Sequence, residues 1–234
     1  MLQERRRARP DSSVLMVEDP IEYRLAGVTQ VQVNAGIGLG FAQVLRAALR
    51  QDPDVIVVGE TREPETARLA LESAMTGHLL FSSIHANDVM TTLQRLETLG
   101  CSRTLVAQSL ALVVVQRLVR RLCPQCARVE APAPALLDAL VARRLAERGA
   151  SVTLPRAVGC DACNGTGYAG RVAVTEGFAL TEELRAALMT GEGSAELAKA
   201  AAQSRALHTF AQCASFLMAR KVIAATEALL AVAE

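Results

Sequence analysis

The sequence predicts an α/β fold built around an open parallel sheet. Three short, mostly apolar runs have the length and composition of buried strands: Val14–Val17, Val55–Val58 and Leu79–Ile84. Polar or ionisable residues follow each run directly, and segments with helical periodicity connect the runs. Ligands of such sheets bind in the crevice beyond the carboxyl ends of the strands. We therefore expect the functional residues to lie where these three strands end.

The second of these strands is followed by the most informative residues. Gly59, Glu60, Thr61 and Arg62 come directly after its four apolar residues. A carboxylate in this place can hold a hydrated Mg²⁺ against nucleotide phosphates, because Mg²⁺ keeps several waters and takes only one or two carboxylates. This is the general form of a Walker B element. A buried strand followed by a solvated turn has the same local pattern, so both interpretations stay open at this point.

The composition limits the classes of protein that fit. The chain has 234 residues, of which 51% are hydrophobic and 21% charged, which is enough for one substantial core and a smaller module. Its formal net charge is +1, so we expect no nucleic-acid partner. No apolar run approaches the roughly 18 residues of a membrane-spanning helix, and the N-terminus lacks the apolar core of a signal peptide. We therefore expect a cytoplasmic chain whose six cysteines are thiols or metal ligands.

The segments around the first strands have helical or half-exposed patterns. The arginine-rich residues 5–9 are expected to be the solvated end of a helix, although they could also touch anionic lipid headgroups. Residues 28–33 alternate apolar and polar side chains, as in a half-exposed strand. Residues 41–51 have the apolar stripe of an amphipathic helix. Pro64 opens a further helix, which is expected to stop at Gly77.

After the third strand the sequence predicts mostly helices. Residues 88–100 and 103–122 are expected to form two of them, and the second ends in arginines that suit a helix C-terminus. A helical stretch is predicted over residues 134–148 and an extended segment over 172–180. The tail, residues 181–234, is expected to be helical.

Four of the six cysteines form two Cys-x-x-Cys pairs: Cys123, Cys126, Cys160 and Cys163. Four thiolates complete a tetrahedral Zn²⁺ shell, and a site closed by four protein ligands is structural. The 33 residues between the pairs exceed the ~15–20 of compact zinc knuckles, because a helical insert lies between them. A redox dithiol is the alternative, although the strand pattern of a thioredoxin is missing around both pairs.

Several motifs together resemble those of the type II secretion and type IV pilus assembly ATPases. Residues 17–23, Val-Glu-Asp-Pro-Ile-Glu-Tyr, resemble the Asp box of that family. Residues 49–62 resemble its Walker B motif and residues 76–87 its His box, in the same order and at similar spacing. Residues 165–171, after the second cysteine pair, are also similar to the family. The resemblance implies a RecA-like P-loop NTPase core, incomplete at its N-terminus, with an inserted tetracysteine zinc module and a helical C-terminal subdomain.

The resemblance also implies roles for individual side chains. By similarity, Glu18 polarises or positions the attacking water, Glu60 holds Mg²⁺ directly or through water, and His85 senses the γ-phosphate of ATP. Arg62 is a further candidate, for a phosphate contact or for an ion pair at a subunit boundary. His78 is expected either to take part or only to shape the turn before the third strand.

Domains, cofactors and partners follow from the same resemblance. The implied domains are a RecA-like core over residues 1–122, a tetracysteine module over 123–175 and a helical subdomain over 176–234. The implied cofactors are ATP, Mg²⁺ and Zn²⁺. The full-length protein is expected to be a homo-hexamer that acts on inner-membrane platform proteins, and so to lie peripherally on the inner membrane. The four cysteines favour secretion or pilus assembly over pilus retraction.

One motif of that family is missing from the sequence. A P-loop reads Gly-x-x-x-x-Gly-Lys-Ser/Thr, and its backbone amides and lysine bind phosphates. The only lysines, Lys199 and Lys221, do not follow a glycine. In the family the P-loop lies a few tens of residues upstream of the Asp box. We therefore expect a fragment, a mis-started reading frame or a degenerate paralogue, inactive alone. A non-catalytic, zinc-containing interaction subunit is the alternative function.

Overall fold

Strands and helices alternate along the first part of the chain in a computed structural model, which describes residues 2–147, 149, 152–191, 193–204 and 206–233. The strands are β1 Val14–Glu18, β2 Thr29–Gln32, β3 Val55–Val58, β4 Leu79–Ser82, β5 Leu112–Leu122, β6 Arg128–Glu130, β7 Leu154–Arg156, β8 Tyr168–Ala179 and β9 Leu207–His208. The α-helices are α1 Leu2–Ala8, α2 Phe41–Ala48, α3 Pro64–Met75, α4 Val89–Thr98, α5 Arg103–Ser109, α6 Pro134–Ala142, α7 Glu182–Met189, α8 Ser194–Gln203, α9 Phe210–Ala219 and α10 Ala225–Val232.

The chain separates into two units. The first unit consists of Met1–Ala86, Met90–Ala111 and Leu180–Leu197, and the second of Asn87–Val89, Leu112–Ala179 and Ala198–Glu234. The three-domain division expected from the sequence remains a prediction.

The first unit contains a parallel sheet whose strand order is β2-β1-β3-β4. Its strands β1, β3 and β4 occupy the three apolar runs, so these strand predictions are confirmed. Val17, Val55 and Ile56 are fully buried in the central strands, as their β-branched character favours. Because all four strands run in the same direction, their carboxyl ends lie at one edge of the sheet. The mixed α/β class is thereby confirmed.

Helix α2 packs on this sheet through its predicted apolar stripe. Val44 belongs to a buried cluster with Val17 of β1, and Leu45 belongs to a second cluster with Ile56 and Val58 of β3. Burying each of these aliphatic side chains contributes about 1.5–3 kcal/mol, so the helix fixes the two central strands relative to each other. Helix α3 begins at Pro64, where the missing amide donor costs nothing.

The second unit is built on an antiparallel sheet of order β5-β8-β9, with β6 and β7 paired separately. Its core cluster includes Val119 and Val174 from the sheet and Phe210, Met218 and Ile223 from the tail. Strand β8 covers most of the segment predicted to be extended, which confirms that prediction.

The predicted helix over residues 103–122 is wrong in its second half. Helix α5 ends at Ser109, and β5 replaces the rest of the expected helix. Val113–Val115 is a β-branched run, and such side chains lose rotamer freedom in a helix but pack well on a sheet. Strand β5 pairs with β8 along nearly its whole length, and local periodicity cannot reveal partners that are 46 to 67 residues away.

The arginines expected at a helix C-terminus therefore lie on a strand and have other partners. Glu227, whose residue surface is 2% exposed, accepts hydrogen bonds from the Arg120 amide at 2.8 Å, from Nε at 3.0 Å and from Nη2 at 2.6 Å. The Arg120 guanidinium also stacks on the Tyr168 ring, with 4.0 Å from Cζ to the ring centroid. Arg117 donates to two carbonyl groups at the end of α10. These side chains hold α10 on the sheet.

The remaining helix predictions are confirmed in outline. Helix α6 occupies Pro134–Ala142 of the predicted 134–148 stretch, whose residue 148 lies outside the described residues. The tail contains α7 to α10, with the short strand β9 between α8 and α9. Within the described ranges, each helix is too short or too polar to cross a membrane.

Candidate active site and metal centre

The carboxyl edge of the parallel sheet brings Glu18 and Glu60 onto neighbouring strands. Val17 pairs with Val58, so Glu18 lies beside Gly59, and the Gly59 amide donates to the Val17 carbonyl at 2.7 Å. A Cβ atom on Gly59 would lie 2.9 Å from that carbonyl oxygen, so only glycine fits without displacing the backbone. The glycine before Glu60 thus lets the ends of β1 and β3 approach closely.

The neighbouring strand β4 brings His85 to the same edge. The Thr61 amide donates to the Ser83 carbonyl at 2.8 Å, which extends the pairing of β3 and β4 past their formal ends. Ser83 in turn donates its hydroxyl to the Gly59 carbonyl. His85 Nε2 lies 3.8 Å from Glu60 Oε2. Three strand ends therefore deliver side chains to one place.

Glu60 is more enclosed than the two side chains that contact it, Arg62 and His85. Its side chain is 20% exposed, whereas those of Arg62 and His85 are 64% and 80% exposed. Arg62 Nη2 lies 2.7 Å from Glu60 Oε2, the same oxygen that His85 approaches. The carboxylate is thus an acceptor with two solvent-exposed neighbours, and a divalent cation could compete with Arg62 for it.

Glu18 has a different partner, which sequence reasoning missed. Gln30 of β2 donates its side-chain amide to Glu18 Oε2 at 2.7 Å. Sequence reasoning also missed the contact that Thr61 makes. Thr61 is 5% exposed, and its hydroxyl lies 2.6 Å from Ser82 Oγ. The alternation in residues 28–33 predicted a half-exposed strand there, but it could not show which strand lies next to it.

Glu18, Glu60, Arg62 and His85, all selected from the sequence, lie at this edge, and His78 does not. His78 precedes β4 and so lies at the opposite, amino edge of the parallel sheet. Its Nδ1 is 3.1 Å from the Ser73 carbonyl oxygen near the end of α3. His78 therefore shapes the turn between α3 and β4.

The four cysteines of the Cys-x-x-Cys pairs form a second cluster, in the second unit. Their sulfur atoms all lie within 4.8 Å of one another. The Sγ atoms are 3.9 Å apart for Cys123 and Cys160, and 3.8 Å apart for Cys126 and Cys163 and for Cys160 and Cys163. Disulfide sulfurs lie ~2.05 Å apart, so these are separate thiols. These three edges match the ~3.8 Å between ligands of a tetrahedron with ~2.3 Å metal–sulfur bonds, so the donor set fits one tetrahedral metal ion.

Backbone amides prepare this cluster for a metal. The amides of Cys160 and Gly167 point at Cys163 Sγ, at 3.3 and 3.1 Å. Burial acts to raise the pKa of the Cys163 thiol, but these amides and the neighbouring thiols of Cys160 and Cys126 outweigh it and lower that pKa to about 6. Burial, followed by hydrogen bonds to Cys126 and Cys163, raises the pKa of the Cys160 thiol to about 11. A metal ion binds the deprotonated form of a thiol, so the lowered pKa of the Cys163 thiol favours metal binding at this sulfur.

Cys101 and Cys213 are the two cysteines outside the Cys-x-x-Cys pairs. Cys101 is 3% exposed, and burial, followed by the nearby Glu72 charge, raises the pKa of its thiol. Cys213 is half-buried, and its sulfur accepts the Thr175 amide at 3.4 Å. Neither belongs to the tetracysteine cluster.

Known proteins resemble this chain over most of its length. The family model described as type II/IV secretion system protein matches residues 3–229. The putative type II secretion system protein E of Escherichia coli is 44% identical over 179 residues, which are 76% of this chain and 36% of that protein. The type IV pilus assembly ATPase PilB of Thermus thermophilus is 42% identical over 193 residues, 82% of this chain and 22% of that protein.

A solved structure and the extent of the match complete the comparison. The structure of the Legionella pneumophila ATPase DotB is 23% identical, covers 95% of this chain and 52% of its own, and has a TM-score of 0.63, so the fold is shared. The chain spans only 22% and 36% of the two curated relatives. Because the family model covers nearly the whole chain, this protein belongs to the type II/IV secretion system protein family.

Proposed function

We propose that the protein is the ATPase of a type II secretion or type IV pilus assembly system. In this proposal, ATP hydrolysis does work on an inner-membrane platform and so drives pseudopilus or pilus assembly and protein secretion. The observation that carries the proposal is the meeting of Glu18, Glu60 and His85 at the carboxyl edge of one parallel sheet. Ligands bind at that edge in open α/β sheets.

Each side chain at the edge has a role in hydrolysis under this proposal. Phosphoryl transfer depends on a metal-bridged phosphate, an oriented nucleophile and stabilisation of charge at the γ-phosphate. Glu60 would hold Mg²⁺, directly or through water, and Glu18 would orient the attacking water. His85 would contact the γ-phosphate, which its 80% exposed ring leaves open to a ligand. Arg62 would leave Glu60 when Mg²⁺ binds and become available to a phosphate.

The tetracysteine cluster is proposed to hold one structural Zn²⁺. Four cysteine thiolates are a closed shell, with no open position for a substrate or water. The cluster joins the residues after β5 to those before β8, since Cys123 follows β5 directly and Cys163 precedes β8 by five residues. Zinc would therefore fix the end of the β5–β8 pair at which β5 ends and β8 begins.

The assembly and location of the protein also belong to the proposal. The full-length protein would form a homo-hexamer, contact inner-membrane platform proteins and lie in the cytoplasm against the inner membrane. Residues 1–234 alone would be inactive, because they contain no P-loop sequence to bind the β- and γ-phosphates.

A chimera tests the proposed activity. The 193-residue segment of this chain that matches PilB of Thermus thermophilus replaces the corresponding segment of that ATPase. We expect Mg²⁺-dependent phosphate release from the chimera, and a loss of at least about 100-fold in kcat for Glu60→Gln, the order seen when a charge-stabilising group is removed. Glu72→Gln is the matched control, because Glu72 forms an exposed pair with Arg68 near the end of α3, and that end leads to the amino end of β4.

The outcomes separate the two functions considered for this chain. Hydrolysis that depends on Glu60 but not on Glu72 supports the ATPase. A chimera that folds, binds its partner subunits and releases no phosphate supports a non-catalytic, zinc-containing interaction subunit instead. Equal rates for Glu60→Gln and Glu72→Gln would show that the metal site lies elsewhere.

A further inference from the structure

Gln30 lies on β2, the edge strand next to the strand that ends in Glu18. Gln30 is paired with Met16 of β1, so Glu18 is its diagonal neighbour, two residues further along the partner strand. In a parallel pair, strands about 4.8 Å apart with a rise of about 3.3 Å per residue place such diagonal Cα atoms roughly 8 Å apart, which long side chains can bridge. Gln30 bridges it, and its Nε2 lies 2.7 Å from Glu18 Oε2.

The side-chain amide of Gln30 makes three hydrogen bonds at once. Besides Glu18 Oε2, Nε2 donates to the Tyr23 carbonyl at 2.8 Å, and Oε1 accepts the Leu25 amide at 2.7 Å. Two of these partners can only accept and the third can only donate, so the orientation of the amide is determined by its surroundings. Both donor hydrogens are used, and the side chain is held from three sides.

The hydrogen bond from Gln30 uses one of the two carboxylate oxygens of Glu18. In the part of the chain that the structure describes, Glu18 Oε2 has Gln30 as its partner, whereas Oε1 has none. A carboxylate that orients water needs one oxygen available and a fixed direction for it. A neutral donor supplies the direction without the strong charge pairing that an arginine or lysine would impose.

We infer that Gln30 is a positioning residue for the reaction, which fixes the Glu18 carboxylate and ties it to the loop after β1. This inference rests on the proposed function, because it acts through the proposed role of Glu18. It assigns β2, a strand that supplies no proposed catalytic group, a part in the chemistry. Movement of residues 19–25 would then disturb Glu18 through the Tyr23 and Leu25 contacts.

The chain offers variants that separate positioning from loop support. Gln30→Met removes all three hydrogen bonds at similar volume. Gln30→Glu keeps an acceptor for the Leu25 amide but replaces the donor to Glu18 by a like charge. Gln32→Met is the matched control, because Gln32 lies on the same strand and accepts the Ile21 amide of the same loop at 3.3 Å.

The first measurement is kinetic and uses the PilB chimera. We expect Gln30→Met and Gln30→Glu to lower kcat about 10- to 100-fold, with KM for ATP unchanged within about twofold, because misplacing a reacting group by about 1 Å has an effect of that order. Gln32→Met should keep the kcat of the unmodified chimera. An unchanged kcat in Gln30→Glu would overturn the inference, since the donor to Glu18 is then not needed. Equal losses of kcat in Gln30→Met and Gln32→Met would also overturn it, since support of the loop alone then explains the contacts.

The second measurement needs no catalysis and uses residues 1–234. The carboxyl carbon resonance of Glu18, observed with isotope-labelled glutamate, should shift in both Gln30 variants and stay in place in Gln32→Met. An unmoved resonance in Gln30→Met overturns the contact, whatever the chimera does. If Glu18→Gln is inactive while Gln30→Met is fully active, the proposed function stands and the positioning inference alone fails.

Discussion

Replacing Cys163 by serine tests the proposed zinc site of the second unit most directly. Cys163 is the most connected member of the cluster: its sulfur lies 3.8 Å from those of Cys126 and Cys160 and accepts two backbone amides. The three Sγ–Sγ distances of 3.8 and 3.9 Å equal those between ligands of a tetrahedral ion with ~2.3–2.4 Å bonds to sulfur, which is the length of a zinc–thiolate bond. We therefore expect one Zn²⁺ per chain and sulfur-only coordination.

Loss of this ion should unfold the segment around the cluster and leave the rest of the chain folded. Structural zinc binds with an apparent free energy of about 10–16 kcal/mol at neutral pH. That is comparable with the whole stability of a domain, about 5–15 kcal/mol, so no packing around the cluster can replace it. In Cys163→Ser we expect the segment from Cys123 to Tyr168 to lose protection against proteolysis and amide exchange.

Elemental analysis and X-ray absorption test these expectations together. The unmodified chain should contain close to one Zn²⁺ with about 2.3 Å bonds to sulfur, and Cys163→Ser should contain far less. Cys213→Ser is the matched control, because Cys213 lies in the same unit but outside the cluster. Absence of zinc, a nitrogen-containing shell, or unchanged zinc in Cys163→Ser would refute the tetracysteine site.

Three further predictions concern the two units separately. Glu227→Ala should lower the free energy of unfolding of the second unit by about 1–3 kcal/mol, because it leaves the Arg120 amide without its acceptor. Tyrosine fluorescence in a Tyr23→Phe background checks this, and no loss of stability contradicts it. In the PilB chimera, Arg62→Ala should lower the Mg²⁺ concentration needed for half-maximal hydrolysis, because no guanidinium then competes for Glu60; a higher requirement argues against competition. Residues 1–234 alone should release phosphate from ATP no faster than background and sediment as monomers or loose oligomers, so measurable turnover or a stable hexamer would refute this expectation.

The parts of the fold that sequence predicted are those specified by local chemistry. Val55–Val58 could be assigned as a buried strand because four apolar, β-branched residues fit few other structures. The cysteine cluster could be assigned because the spacing within each pair is a property of the sequence itself. The edge position of Glu60 followed from the rule that polar residues after parallel strands share one edge.

The parts that sequence missed depend on distant partners. Arg117 and Arg120 are three residues apart, a spacing that puts two side chains on one face of a helix, and only pairing with β8 shows that they lie on a strand. The acceptor for Arg120 is 107 residues away, at Glu227. Gln30 could not be linked to Glu18 for the same reason, since the link requires the register of β1 and β2.

The most direct test of the central claim is the structure of the PilB chimera with Mg²⁺ and a non-hydrolysable ATP analogue. We predict the metal at the carboxyl edge of the parallel sheet, bound to Glu60 directly or through one water, with Arg62 turned away from the 2.7 Å contact that it makes without nucleotide. Glu18 should face the γ-phosphate through a water while still accepting the Gln30 amide. Phosphates and metal bound away from this edge, with the Arg62–Glu60 pair intact, would contradict the account.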